Sequence, residues 1–494
     1  MMTALYQNRQ IRELEKFAID EGIEEYQLML AAGNAAFNTL IAHWPEAKRI
    51  SICCGKGNNG GDGLVVALLA HEYGLEVSVL LMGELSQLKN AAAKAATACQ
   101  KAGLSLNQFD TDTQLQDDLI VDALLGSGLS GEVGEPYRSA IAAINAAECP
   151  VLAIDVPSGI DVDTGSILGC AVKADVTITF IALKRGLYTA QAPACCGEIV
   201  CDSIGVSDHL FRKVEHSAEL LNWNRIRPML PKRTRDTHKG SYGHVLVVGG
   251  DYGMGGAVRL AAESAARVGA GLVTVATRPE HVPVVSGSRP ELICHQVAEA
   301  ADLEPLLERA SVIVVGPGLG KTSWAISLLN RLLESNLPKV LDADSLNLLS
   351  HSPRQANDWI LTPHPGEAGR LLDIHCKEVQ SDRFKAIDEI QQRYGGVVAL
   401  KGAGTLIKGL GKMIEICPAG NPGMASAGMG DVLSGIIGGL LAQGLKLQDA
   451  AEAGVFIHSV AADRAAEEGG ERGLLATDLL PYLRSLVNPN RSSL

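Results

Sequence analysis

Hydrophobic positions along the chain cluster into short runs of β-branched and aliphatic residues, separated by longer Ala- and Leu-rich stretches with helical spacing. Between Arg49 and Val206 the runs are "RISICCG", "LEVSVLLMG", "DLIVDALLG", "PVLAIDVPSG" and "ADVTITFIALK". They read as buried strands, and their alternation with helical segments predicts a parallel sheet covered on both faces. From 207 to 240 the residues turn polar and charged, with Pro228 and Pro231 among them, so a domain boundary is expected near 220. A second alternation follows in "GHVLVVGG", "AGLVTVAT", "ASVIVVGPG", "PKVLDAD" and "GGVVALKG". Two tandem α/β domains are therefore expected, 1–220 and 221–494, with no residue-level repeat between them.

Composition narrows the functional classes. A chain of 494 residues has room for two or three domains, and its 47% hydrophobic content supplies each with a core. Fifty-three glycines with only 4% aromatic residues suit an α/β protein with many close loops. The net charge of −13 argues against a nucleic-acid partner, which needs clustered Lys and Arg. The short basic run "PKRTRDTHKG" reads as a solvated linker. No apolar run approaches the ~18 residues of a membrane span. The N-terminal "MMTALYQNRQIRELEKFAID" carries charges where a signal peptide needs an apolar core, so a cytoplasmic protein is expected. The eleven cysteines form no C-x-x-C pair, and "ACCGEIVC" matches no zinc spacing. Thiols in a reducing compartment are the expectation.

Candidate chemistry lies at the strand ends, where open parallel sheets bind ligands. In the first half these ends are "GKGNNGGDG", "VDALLGSGLSGEVGEP" and "IDVPSGIDVDTG". Their glycines offer N–H groups to a phosphate, yet Asp62, Asp122 and Asp155 would repel one. A bound cation with Asn, Asp and Ser oxygens as hard ligands resolves the conflict. In the second half "VVGPGLGKTSW" imitates a P-loop, but Gly316 and Gly320 enclose three residues where that motif needs four. "LTPHPGEAGRLL" fixes His364 between prolines, and "LKGAGTLI" sets Lys401 and backbone amides at a strand edge suited to a nucleotide phosphate. His458 reads as a core histidine. "SAGMGDVLSG" starts a helix behind Gly428 and Gly430, an anion-attracting corner, and places Asp431 there. Besides capping the helix, such a carboxylate can deprotonate a hydroxyl that attacks a phosphoryl group, while the glycine amides stabilise the group in transfer. That is phosphoryl-transfer machinery of the ribokinase-like type.

These motifs carry a resemblance over nearly the whole chain. "GNNGGDG", "DALLGSG" and "IDVPSG" resemble the NAD(P)HX epimerase family. "TPHPGE", "LDADSLN", "LKGAGT" and "NPGMASAGMGDVLSG" resemble the ADP-dependent NAD(P)H-hydrate dehydratase family, whose fold is ribokinase-like. The fold class implied is α/β, with an N-terminal Rossmann-like parallel-sheet domain and a C-terminal ribokinase-like α/β domain. The resemblance implies that Asn58, Asn59, Gly60, Gly61 and Asp62, the loop Gly126, Ser127, Gly128, Leu129, Ser130, Gly131 and Glu132, and Asp155 contact hydrated NADH or NADPH. It further implies that Asn59, Asp122 and Ser158 bind K⁺. In the second half, Ala257, Gly318, His364 and Asp431 would contact substrate. Lys401, Gly402, Ala403, Gly404, Thr405 and Gly430 would hold ADP, with Mg²⁺ as a further candidate. Related kinases carry a small residue where Met429 stands.

The implied chemistry is repair. Water added across the nicotinamide C5–C6 bond leaves a C6 hydroxyl, a poor leaving group until ADP phosphorylates it. Elimination then restores NADH or NADPH. Asp431 would be the base for the S epimer, and the first half would interconvert R and S, with Asp155 as its candidate base. A homo-oligomer is expected. The alternatives are a ribokinase-like kinase acting on a vitamin precursor, and a first half that only binds nucleotide or protein.

Overall fold

The computed structural model describes residues 3–110 and 115–488. The chain divides into two compact units, residues up to Glu219 and residues from Leu220 onward.

The first unit is built on a sheet whose strands lie in the order Leu106–Gln108, Glu76–Leu81, Arg49–Cys54, Leu119–Ala123, Val151–Ile154, Val176–Phe180 and Glu198–Asp202. Each of these neighbouring pairs is parallel. Numbered along the chain, the order is 3-2-1-4-5-6-7, the doubly wound arrangement of a Rossmann-like sheet. The order reverses between Arg49–Cys54 and Leu119–Ala123, so the loops after these two strands part there and leave a crevice. Apolar runs such as Ile50, Ile52, Val121 and Leu152 are buried in one core together with Leu14, Leu28, Leu40 and Leu64 from the helices.

The second unit repeats the principle with different elements. Its strands run Ile414–Cys417, Thr405–Gly409, Val397–Leu400, Trp359–Leu361, Lys339–Leu341, Val312–Val315, His244–Val248, Leu272–Thr277 and Ile293–Gln296. Pairing is parallel except where Thr405–Gly409 joins its two neighbours antiparallel. The reversal falls between His244–Val248 and Val312–Val315, which are followed by "GGDYGMGG" and "GPGLGK". Helix Met429–Ala442 packs on helix Gly255–Arg267 at glycine: a Cβ on Gly435 would lie 2.0 Å from the Ala261 carbonyl oxygen. That close approach is open only to glycine.

Among the described residues no helix is long and apolar enough to cross a membrane. All eleven cysteines are free; most are buried or partly buried, and Cys376 is exposed.

Candidate active sites

In the first unit the crevice is a cavity of about 740 Å³ lined by Asn58, Asn59, Asp62, the loop from Gly126 to Ser130, and Asp155. Glycine makes the loop geometry possible, because a Cβ on Gly60 would fall 2.0 Å from the Gly55 carbonyl oxygen. Helix Asn58–Tyr73 can therefore begin directly against the end of its strand. Gly60 and Gly61 are buried in that helix start, whereas Gly131 and Glu132 are exposed beyond the cavity lining.

Asp155 sits at a φ of 67°, and Ile181, at the end of the neighbouring strand, at 68°. Both are spanned by tight i to i+2 hydrogen bonds, Val156 N–H to Ile154 C=O (2.9 Å) and Ala182 N–H to Phe180 C=O (2.8 Å). Left-handed backbone at a residue other than glycine costs about 1–3 kcal/mol and is concentrated at functional sites. Here it turns Asp155 into the cavity. Its carboxylate pairs with the buried Lys184 ammonium at 2.8 Å and accepts the Ser127 N–H at 3.1 Å. Burial pushes its pKa up, but Lys184 and Ser127 outweigh burial, and the net direction is down. Asp62 moves the opposite way, driven well up by burial and by the charges of Asp155 and Glu15.

Beneath the loops, Asp122 is fully buried and holds Ser158 twice, through its N–H at 2.8 Å and its hydroxyl at 2.6 Å. Burial, partly offset by those bonds, raises the Asp122 pKa to about 6. Both amide atoms of Asn59 are buried with no protein partner, an arrangement that costs about 1–3 kcal/mol if nothing binds there.

In the second unit helix Met429–Ala442 is preceded by Gly428 at a φ of 89°, with no side-chain cap, so Asp431 lies in the first turn and does not cap it. Burial first, then the charge of Asp342, lifts the Asp431 pKa to about 7. Lys401 bonds Asp342 at 2.7 Å and lies 3.9 Å from Glu367. Ser434, one turn beyond Gly430, donates to the other Asp342 oxygen at 2.6 Å. A Cβ on Gly430 would sit 3.2 Å from the Lys401 nitrogen, so lysine and helix start share one corner. His364 caps helix Pro365–Leu372, accepting the Gly366 N–H on Nδ1 at 3.0 Å, and its ring is half exposed. Burial and the nearby Lys401 and Arg370 charges hold its pKa down. Glu367 is raised to about 7, chiefly by burial. Gly318 (φ 56°) lies against Met254 and Ala257, which brings the two switch-point loops together. The buried Arg383 donates to the carbonyls of Leu400, Lys401 and Gly404, which fixes the loop that carries Gly402, Ala403 and Thr405. His458 is buried and hydrogen-bonds the Met429 backbone; burial lowers its pKa to about 4.

Residues 245–485 match the family model described as NAD(P)H-hydrate dehydratase, and residues 25–186 match that of the YjeF-related protein N-terminus. The chain is 67% identical over 488 residues to the bifunctional NAD(P)H-hydrate repair enzyme of Coxiella burnetii, covering 99% of this chain and 100% of that one. It is 43% identical to the enzyme of the same name from Escherichia coli, over 97% and 93% of the two chains. The chain belongs to the bifunctional NAD(P)H-hydrate repair enzyme family. Among solved structures, the ADP/ATP-dependent NAD(P)H-hydrate dehydratase of Bacillus subtilis, co-crystallised with ATP/Mg²⁺, is 31% identical with a TM-score of 0.50, covering 54% of this chain and 97% of that chain. A ribokinase-like superfamily protein from Enterococcus faecalis gives a TM-score of 0.52 at 27% identity, over 55% and 95%. The C-terminal unit of this bifunctional repair enzyme family member thus has the ribokinase-like fold.

Sequence reasoning missed several members of both sites. Lys184 closes the strand run "TITFIALK", and a lysine ending a buried run was the available signal. Asp342 and Glu367 stand inside "LDADSLN" and "TPHPGE", motifs recognised for their resemblance and not for these carboxylates. Asn8, Arg12 and Glu15 line the first cavity from helix Asn8–Asp20, which lies outside the matched family region.

Proposed function

We infer that this chain is a bifunctional repair enzyme that interconverts R and S hydrates of NADH and NADPH and dehydrates the S form at the expense of ADP. The observation that carries the dehydratase reading is Asp431, a carboxylate raised to about 7 at a helix start shared with Lys401. A general base works best when its pKa lies near the working pH. Asp431 takes the C6 hydroxyl proton as that oxygen attacks the terminal phosphoryl group of ADP, and AMP leaves. The N–H groups at the helix start stabilise the charge of the group in transfer. Loss of the C5 proton and phosphate then gives NADH or NADPH.

Lys401, the loop from Gly402 to Thr405, and Gly430 hold the nucleotide in this account, and Ala257, Gly318 and His364 hold the hydrated nicotinamide. Among the described residues no cluster of three or more His, Cys, Asp or Glu side chains is arranged to hold a metal. Any Mg²⁺ would be carried on the nucleotide phosphates, where it would neutralise charge.

The first cavity takes the epimerase reaction, with Asp155 as base. The buried, unpartnered Asn59 amide, together with the Asp122 and Ser158 oxygens at the neighbouring strand ends, offers the hard donors that suit a weakly charged cation such as K⁺. When bound, that ion supplies positive charge that fixes the loops around the substrate. The test of the whole reading is recovery of NADH absorbance from hydrated NADH. Full activity with ADP and release of free phosphate are expected; a stable phosphorylated product would mark a kinase instead.

A further inference from the structure

The N-terminal helix Asn8–Asp20 is part of the first site and not a peripheral cover. Asn8, Ile11, Arg12 and Glu15, spaced as one helical face, all line the cavity that holds Asp155. The helix is fixed there: the Asn8 amide donates to the Ser127 carbonyl at 2.6 Å, and Ser127 in turn donates its N–H to Asp155. Gln10, one residue from the cavity face, bonds the Glu215 carbonyl. Glu15 and Asp155 therefore enter one cavity, from a helix and from a strand end.

We propose that Glu15 is the acid–base partner of Asp155 in epimerisation, a role that rests on the epimerase reading of this cavity. Inversion at C6 needs a proton delivered to one face of the carbon and removed at the other. Protonated Glu15 gives its proton to the C6 hydroxyl, the C6–O bond breaks, and water leaves as the N1 lone pair forms a C6=N1 bond. A water then adds to the opposite face, the C6–O bond re-forms, and its proton passes to Asp155. One proton crosses from Glu15 to Asp155 per inversion, nothing is oxidised or reduced, and exchange with solvent resets the pair. The reverse inversion uses the same groups with roles exchanged. The cationic intermediate suits a cavity in which Asp155 is held ionised.

The environments of the two groups differ in the sense such a pair requires. Burial first, then Glu25 and Asp155, raise Glu15 above an ordinary carboxylic acid, against Arg12 and Lys184. Asp155, despite burial, is held down by Lys184. The charged groups facing Glu15 are Arg12 on its own helix, Glu25 on helix Glu25–His43, Asp62 on helix Asn58–Tyr73, and Asp155 and Lys184 at the strand ends.

The experiment uses the full chain without ADP, a single epimer of hydrated NADH, and chromatographic separation of R from S over time and pH. The wild type should show a descending limb as Glu15 ionises. Glu15→Gln should lose about 10²–10⁴-fold in rate and lose that limb, while Glu15→Asp recovers part of both. Thermal unfolding of the first unit reports whether Glu15→Gln is folded there, and unchanged ADP-dependent dehydration of the S epimer confines the effect to the first site. A folded Glu15→Gln with wild-type rate, or one slowed but with the limb intact, overturns the proposal. If Asp155→Asn also inverts at the wild-type rate, the epimerase reading of the cavity itself falls.

Discussion

Asp155 and Asp431 are both carboxylates at element ends, and their neighbours separate their chemistry. A buried lysine at 2.8 Å keeps Asp155 ionised, whereas burial beside Asp342 leaves Asp431 near 7. Dehydration should therefore rise with pH through an ascending limb near 7, far above the ordinary carboxylate range, because only the ionised form accepts the proton. Asp431→Asn should remove that limb and about 10²–10⁴-fold of dehydration rate while epimerisation stays intact. Steady-state rates across pH check both statements, and near-normal turnover in the variant would defeat the assignment. Asn59 carries a second prediction. K⁺ should raise the thermal midpoint of the first unit by binding only its folded form. Asn59→Ala should raise the K⁺ concentration needed for epimerisation by about 10-fold or more, with no loss of midpoint in K⁺-free buffer, since it deletes an unpartnered buried amide. An unchanged K⁺ requirement contradicts the ligand role. Asp155 was legible because it ends an apolar run ahead of a Pro–Ser–Gly turn, and Asp431 because it follows Gly428 and Gly430 at a helix start. Glu15 was not, since within "RELEKF" it looks like any solvated helical face until tertiary packing encloses it.

At the scale of elements, the central strands were readable from their continuous apolar runs, as Leu119–Ala123 and His244–Val248 illustrate. Those missed are short or lie toward sheet margins, where polar side chains face solvent: Leu106–Gln108 and Ile293–Gln296 keep no fully buried residue. "LKGAGTLI" reads as one strand edge, and only the antiparallel pairing with Val397–Leu400 reveals Thr405–Gly409 as a second strand. Helix packing was equally invisible in one dimension. Gly435 is one glycine among many in "LSGIIGGLL", yet the Ala261 carbonyl leaves no space for a Cβ. Gly435→Ala should force helix Met429–Ala442 away from helix Gly255–Arg267, destabilising the second unit by about 1–3 kcal/mol and slowing dehydration without touching epimerisation. Denaturant unfolding with both activity assays measures this; an unaltered dehydratase would show that the helix contact does not position Asp431.

At the scale of the molecule, each unit has its own core, one built from residues such as Leu14, Ile52 and Val121, the other from Val247, Val314 and Ile436. We propose that each folds and acts alone: a fragment ending at Glu219 should epimerise without ADP, and one starting at Leu220 should dehydrate only the S epimer rapidly. Failure of both fragments to fold would contradict independent domains. The central claim is that one chain repairs both epimers through two separate carboxylate sites. It is tested most directly by the time course of NADH recovery from a mixture of R and S hydrate with ADP, compared among wild type, Asp155→Asn and Asp431→Asn. The account predicts complete recovery in the wild type without a slow second phase, a fast phase that stops at the S fraction and then creeps in Asp155→Asn, and almost no recovery in Asp431→Asn. Identical complete recovery in the wild type and Asp155→Asn, or full recovery in Asp431→Asn, would contradict it.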